Sequence, residues 1–308
     1  MPTRCRTPSR GCKVGITRRT AFRAAIAGAA AAIARPASAA TTVMAVPADA
    51  VGLLYDTTKC IGCKACVVAC REANGLQADT SWSGGLYQAP LDLNEKTKTV
   101  VKLYDDGAGH RSFFKAQCMH CVDPACANAC MLGAFKKREY GIVSYDVNYC
   151  IGCRYCEVAC PYGVPKFEWS KASPKMVKCE LCNHRLAQGK IPACAEVCPK
   201  QAVIYGRRED LLREAKTRIA ENPGKYIQKV YGETDGGGTQ CLYLSHVPFE
   251  QLGLPVLGEQ STPTLQRTIQ HSVYKGFAAP IALYGLLSVV MFRNRKPRAA
   301  DARKGGAA

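Results

Sequence analysis

An α+β fold assembled from two copies of one cysteine-rich module is predicted by three features of this chain. First, sixteen of its 19 cysteines fall in four groups of four. In order they are Cys60-x2-Cys63-x2-Cys66-x3-Cys70, Cys118-x2-Cys121-x4-Cys126-x3-Cys130, Cys150-x2-Cys153-x2-Cys156-x3-Cys160 and Cys179-x2-Cys182-x11-Cys194-x3-Cys198. Second, the first and third groups are near copies, since Cys60–Cys70 and Cys150–Cys160 agree at eight of eleven positions. Third, each copy follows a short apolar, strand-like run, Leu53–Tyr55 and Ile142–Tyr145, with an aspartate (Asp56, Asp146) four residues ahead of its first cysteine.

The second and fourth groups also correspond. Each ends in Cys-x3-Ala, at Cys130/Ala134 and Cys198/Ala202, and each delays its third cysteine by an insertion. Gly62 and Gly152 suit loops whose backbone N–H groups approach sulfur, because glycine reaches conformations closed to other residues. Pro161 and Pro199 end the ligand loops.

The first and third groups have the spacing of the bacterial run that holds 4Fe–4S clusters. Three cysteines on a tight loop cap three irons. The fourth, expected at the start of a helix, points away and serves the neighbouring cluster. Sixteen thiolates are enough for four 4Fe–4S cubanes. Zinc sites take cysteines two by two and have no use for the third and fourth of each run. A disulfide framework belongs to short secreted scaffolds. No Cys-x-x-Cys-His occurs, so covalent haem is not indicated. Every group already has four cysteines, so His110, His120 and His184 read as surface or hydrogen-bonding residues rather than ligands.

The ends of the chain carry targeting signals. Residues 1–39 hold paired arginines, Arg18-Arg19, an alanine-rich stretch and Ala37-Ser38-Ala39 as a cleavage site. This reads as a twin-arginine signal peptide, a route that exports folded, cluster-loaded protein. Residues 40–50 are a linker. Residues 273–292 read as one transmembrane helix, with Lys275 near the boundary and Tyr274 as an interfacial anchor. Residues 293–308 form a basic tail, which the positive-inside rule puts in the cytoplasm. The expected location is therefore the cell inner membrane, single-pass, with the main domain periplasmic.

Charge excludes less than it first suggests. The formal +18 falls to +10 once residues 1–39, with eight Lys/Arg and no acid, are set aside. Four oxidised cubanes with their thiolates contribute about −8. The basic balance thus reports targeting and topology, and no nucleic-acid motif accompanies it.

Residues 51–205 are read as the four-cluster domain. Within it, 71–117 is a polar, glycine-rich insertion with a strand at Thr99–Tyr104. Residues 206–272 form an extension and an arm to the membrane. Arg208–Glu221 has helical spacing of Leu211, Leu212, Ala215 and Ile219, and Cys241–Leu244 reads as a strand. Gly236–Gly238 is a turn that lacks the Lys-Ser/Thr of a phosphate loop. Cys241 is left over as a buried, small apolar residue. No Ser/His/Asp set, dinucleotide fingerprint or paired-carboxylate signature is present, so no apparatus for substrate chemistry is visible.

The four-group pattern resembles the beta subunits of respiratory molybdenum enzymes and membrane-bound hydrogenases. The segment Tyr231–Ser245, then Val247-Pro248-Phe249, Leu252–Pro255 and Tyr274-Lys275-Gly276, is most similar to hydrogenase-2 type (HybA-like) electron-transfer subunits, over residues 16–296. Met131 departs from the pattern, standing where relatives often have proline. The resemblance implies duplicated bacterial dicluster ferredoxin modules and cross-paired ligands. Cys60, Cys63 and Cys66 would share a cluster with Cys198, and Cys179, Cys182 and Cys194 with Cys70. Cys118, Cys121 and Cys126 would take Cys160, and Cys150, Cys153 and Cys156 would take Cys130. It further implies a non-catalytic role, carrying electrons from the small and large subunits of a NiFe hydrogenase to a quinone-reactive, multi-helix membrane subunit. A formate dehydrogenase or another periplasmic molybdenum oxidoreductase is the alternative partner. An enzyme with a catalytic cluster is the alternative of a different class; such a cluster usually leaves one iron without a cysteine, and none is missing here.

Overall fold

Strand β1 (Val51–Asp56) is buried along its whole length and lies at the centre of a three-stranded sheet. The computed structural model describes residues 45–78, 90–107, 111–172 and 174–294. The expected signal peptide, and the expected basic tail beyond residue 294, lie outside the described residues. Residues Thr41–Leu265 form one compact unit.

After β1 the first cysteine loop leads into helix α1 (Ala65–Ala73). Strands β2 (Thr99–Asp105) and β3 (Arg111–Gln117) then form an antiparallel hairpin, so the polar insertion contains one strand more than its sequence suggests. Helix α2 (Ala125–Asn128) carries the second group into β4 (Phe135–Lys137), which pairs with β5 (Val143–Tyr145). Helix α3 (Tyr155–Ala159) follows the third cysteine loop, and β6 (Lys166–Phe167) pairs with β7 (Met176–Val177). The fourth group is spread over α4 (Asn183–Leu186) and α5 (Ala193–Glu196). Strand β8 (Val203–Arg207), helix α6 (Arg208–Glu221) and strand β9 (Cys241–Leu244) complete the body.

The central sheet has the order β8-β1-β9, antiparallel on one side of β1 and parallel on the other. Side chains alternate across a strand, and here both faces are covered. Leu54, Leu242 and Leu244 pack with Leu211 and Ala215 of α6. Leu53, Tyr55, Cys241 and Tyr243 face the cysteine-bearing side with Cys66 and Cys194. Each fully buried leucine contributes about 2 kcal/mol of apolar burial. The segment after Tyr205 thus supplies the end of β8 and all of β9. Helix α6 is held by Arg218, which pairs with the fully buried Asp56 at 3.2 Å. Arg208 donates to the carbonyls of Thr239, Gly232 and Glu233.

Of the extended arm expected at 246–272, residues 246–263 pack onto the body instead. Val247, Phe249, Leu252 and Leu254 are buried, Tyr231 donates to the Pro255 carbonyl at 2.7 Å, and Ser261 bonds Asp123.

Helix α7 (Thr264–Arg293) carries Pro280 internally, and Phe277, Ile281, Leu283, Leu286 and Val289 expose their side chains. Among the described residues no helix is long and apolar enough to cross a membrane. Part of the span expected at 273–292 lies outside the described side chains, at 273–275, 278 and 279. What is established at 273–292 is a helix; a membrane crossing is not.

Candidate iron–sulfur centres

Each cysteine group is built on one local device. The residue two after its first cysteine takes a left-handed conformation: Gly62 (φ 68°), His120 (φ 48°), Gly152 (φ 71°) and Leu181 (φ 52°). That turn aims the backbone N–H back at the first sulfur, at 3.5 Å for Gly62 on Cys60, 3.4 Å for Gly152 on Cys150 and 3.4 Å for Leu181 on Cys179. The His120 N–H serves Cys118 in the same way. Glycine marks the turn in two groups only; in the others a bulkier residue accepts the strain.

The third cysteine of every group, Cys66, Cys126, Cys156 or Cys194, sits in the first turn of a helix. The fourth lies four residues on, in the last turn of α1 or just beyond α2, α3 and α5. The start of the helix therefore belongs to the third cysteine, where the sequence suggested the fourth. Four helical residues advance the chain by about 6 Å along one face. The two sulfurs can thus serve adjacent centres.

Thiols from different groups are neighbours. Burial first, then Cys60, Cys198 and Cys63, push the Cys66 thiol up, against an opposing pull from Lys115; the result is about 11. Burial, then Cys179, Cys194 and Cys182, raise Cys70, with Lys115 again opposing. Burial, then Cys118, Cys160 and Cys126, raise Cys121. Burial, then Cys150, Cys153 and Cys130, push Cys156 up to about 12. Cys60, Cys63, Cys66 and Cys198 line one hollow, and Cys130, Cys150, Cys153 and Cys156 line another. The structure therefore gathers the sixteen thiols into four sets of four, each with three from one group and one from another.

Secondary structure enforces this. Helix α1 packs on α5, which brings the first and fourth groups together, and α2 packs on α3, which joins the second and third. The two outer sets are copies down to single hydrogen bonds. Ala134 donates to Cys130 Sγ at 3.3 Å, and Ala202 to Cys198 Sγ at 3.3 Å. Asp146 N–H reaches the Ala134 carbonyl at 2.8 Å, and Asp56 N–H the Ala202 carbonyl at 2.8 Å. The two aspartates singled out by sequence are turn formers: Asp56 Oδ1 accepts from Thr58 N–H and Asp146 Oδ1 from Asn148 N–H, both at 3.0 Å.

The sets lie in a row. Cys66 and Cys70 share α1, Cys118 and Cys179 act on one another, and so do Cys126 and Cys156. Cys63 and Cys153, in the two terminal sets, are exposed, whereas every cysteine of the set holding Cys179 is buried.

Buried thiols of raised pKa are neutral at neutral pH unless a metal displaces the proton. Sulfur donors with backbone N–H groups trained on them suit iron–sulfur ligation. Among the described residues no three His, Cys, Asp or Glu side chains converge as on a single ion. The thiols instead surround hollows.

Known proteins agree with this chemistry. Residues 110–208 match the 4Fe-4S dicluster domain family and residues 53–72 the 4Fe-4S binding domain family. The hydrogenase-2 operon protein HybA of Escherichia coli O157:H7 is 41% identical over 283 residues, covering 80% of this chain and 85% of that protein. The chain belongs to the HybA family. Its likeness extends to the nitrate-inducible formate dehydrogenase iron-sulfur subunit of Escherichia coli, 34% identical over 247 residues, covering 77% of this chain and 81% of that protein. A protein of Nitratidesulfovibrio vulgaris is 48% identical over 222 residues, covering 70% of this chain and 60% of its own. The HybA-type chain is thus an iron–sulfur subunit of the respiratory oxidoreductase kind.

Of the other residues weighed from sequence, His120 is fully buried and its Nδ1 accepts from Val143 N–H at 3.2 Å. His184 is exposed, and His110 lies outside the described residues. Cys241 is buried as expected, its thiol donating to the Cys118 carbonyl at 3.3 Å. Two buried lysines beside the thiols, Lys115 and Lys178, carry no sequence signal; each stands in a short strand-like stretch where charge is unexpected.

Proposed function

We propose that this chain is a non-catalytic electron-transfer subunit, carrying electrons through four 4Fe–4S clusters from a NiFe hydrogenase catalytic dimer to a quinone-reactive integral membrane subunit. The observation that carries this reading is the row of four thiol sets with an open end on each side. A relay needs two docking ends and an insulated middle. At one end the exposed Ile61 and Val68 line hollows with the exposed Cys63; at the other the exposed Met131 and Ile151 line one with the exposed Cys153. Apolar rims of this kind suit protein partners.

The clusters supply one-electron transfer; the residues hold them, exclude water and aim N–H groups at sulfur. The assignment of all sixteen cysteines as iron ligands, in the cross-paired sets above, belongs to the same proposal. Hydrogenase is preferred to formate dehydrogenase because the likeness to HybA is stronger, at 41% against 34% identity. Export by the twin-arginine route and attachment to the inner membrane through α7 complete it, with the body in the periplasm.

A strain lacking this protein should keep hydrogenase activity with a small artificial dye and lose hydrogen-dependent quinone reduction. Quinone reduction that survives the deletion would refute the reading. Loss of formate-dependent rather than hydrogen-dependent quinone reduction would transfer it to the alternative partner.

A further inference from the structure

Lys115 stands on β3 with its side chain completely buried, and its ammonium bonds the Gln117 side-chain oxygen. No carboxylate pairs with it among the described residues. Isolated burial of an ammonium costs several kcal/mol, so this charge needs an opposite one. The opposite charges on offer are sulfur. Lys115 opposes the rise of Cys66 in the first set and of Cys70 and Cys194 in the second. In return, against the downward pull of burial, the sulfurs of Cys194, Cys66, Cys179 and Cys70 push the ammonium's pKa up. Its strand partner Val101 packs in the same core as Cys66 and Cys194. The side chain therefore lies at the seam between two adjacent sets.

We propose that Lys115 is a fixed buried cation that stabilises the reduced state of the two clusters it separates, the one on Cys60, Cys63, Cys66 and Cys198 and the one on Cys179, Cys182, Cys194 and Cys70. This rests on the four-cluster reading. Reduction adds one electron, and one negative charge, to a buried centre. Lys115 gains and loses nothing in that step; its charge offsets the added one in a medium where such interactions are strong. The potentials of both neighbours are raised, and an electron on one is less repelled by the other. Lys178, also buried, acts on Cys118, Cys126 and Cys160 of the third set and donates to the Cys179 carbonyl at 3.0 Å, so it lies between the second and third sets. The set on Cys150, Cys153, Cys156 and Cys130 serves as an internal reference.

The test is a redox titration of the full-length holoprotein, followed by electron paramagnetic resonance, for Lys115→Met, Lys115→Arg and Lys178→Met. Lys115→Met should shift two of the four clusters to lower potential by a tenfold or larger change in the reduction equilibrium, about 59 mV for a one-electron couple. Iron and sulfide content should stay unchanged, and Lys115→Arg should restore the potentials. Lys178→Met should move the third cluster and leave the first in place. Unchanged potentials in Lys115→Met, equal shifts of all four, or an Arg variant that falls as far as Met would overturn the proposal. If Met loses clusters and Arg keeps them, the charge itself is required, which supports it; if both lose them, the side chain is packing and the proposal fails. A wild-type protein without 4Fe–4S signals would instead sink the underlying reading.

Discussion

Replacing Gly62 by alanine tests whether the left-handed turn of the first cysteine loop is as constrained as its geometry states. Gly62 has φ 68°, and a Cβ placed on it would lie 2.3 Å from the Phe113 ring. Two costs follow. A Cβ in the left-handed region costs about 1–2 kcal/mol. Displacing Phe113 is an overpacking cost of about 1–3 kcal/mol, because the ring packs against the core and its carbonyl accepts from Tyr55 Oη at 2.7 Å. Gly224 isolates the first cost, having φ 82° and nothing within 4 Å. The rate at which denaturant bleaches the visible absorption of the clusters reads the difference. If the Phe113 cost appears in the unfolding barrier, Gly62→Ala should bleach about 5–160-fold faster than Gly224→Ala. Phe113→Leu, which shortens the obstructing side chain, should recover part of that loss. Equal rates for the two alanine variants, or no recovery with Phe113→Leu, would refute the reasoning.

Cys198→Ser should damage the centre built on Cys60, Cys63 and Cys66 and lower iron content by about one quarter of a four-cubane load; spectroscopic loss of the centre on Cys179 and Cys182 instead would break the cross-pairing. Mild oxidation of the holoprotein should release iron in two phases, first from the two terminal sets with exposed Cys63 and Cys153. A single phase, or early loss from the set on Cys179, Cys182, Cys194 and Cys70, would contradict the row. Arg218→Ala should destabilise the body by about 3–5 kcal/mol, because it leaves the Asp56 carboxylate buried without its cation; a change within about 0.5 kcal/mol would place the pair among surface ion pairs of little worth.

The parts of this protein that were legible in sequence are those where chemistry fixes spacing. A thiolate set tolerates few loop lengths, so the cysteine groups, their correspondence and the strands before them stand out. Helix α6 and strand β9 match their expected limits because their apolar residues face one buried surface at regular period. Strand β3 was not legible, since Arg111–Gln117 mixes charge with aromatics and its pairing is set by β2. The place of β9 was not legible either. A parallel pairing between Leu53 and Cys241 spans most of the body, and no local pattern announces it. The left-handed turns at His120 and Leu181 escape for a simpler reason: glycine is the residue that advertises such a turn, and there the fold imposes it without glycine.

The duplication explains why the centres form a row rather than four separate sites. In each copy a strand, a left-handed turn and a helix start fix three sulfurs, and the fourth sulfur lies one helical turn away on the same face. A single module would leave that fourth sulfur without a neighbouring centre to serve. Two modules facing one another, α1 on α5 and α2 on α3, let each fourth cysteine complete a centre that another group began. The inner sets then meet through Cys118 and Cys179. In the proposed ligation no further ligand is needed, and removing any one crossing cysteine would strike the centre of a different segment. In the proposed assignment, electron transfer along such a row therefore depends on four crossing residues, Cys70, Cys130, Cys160 and Cys198.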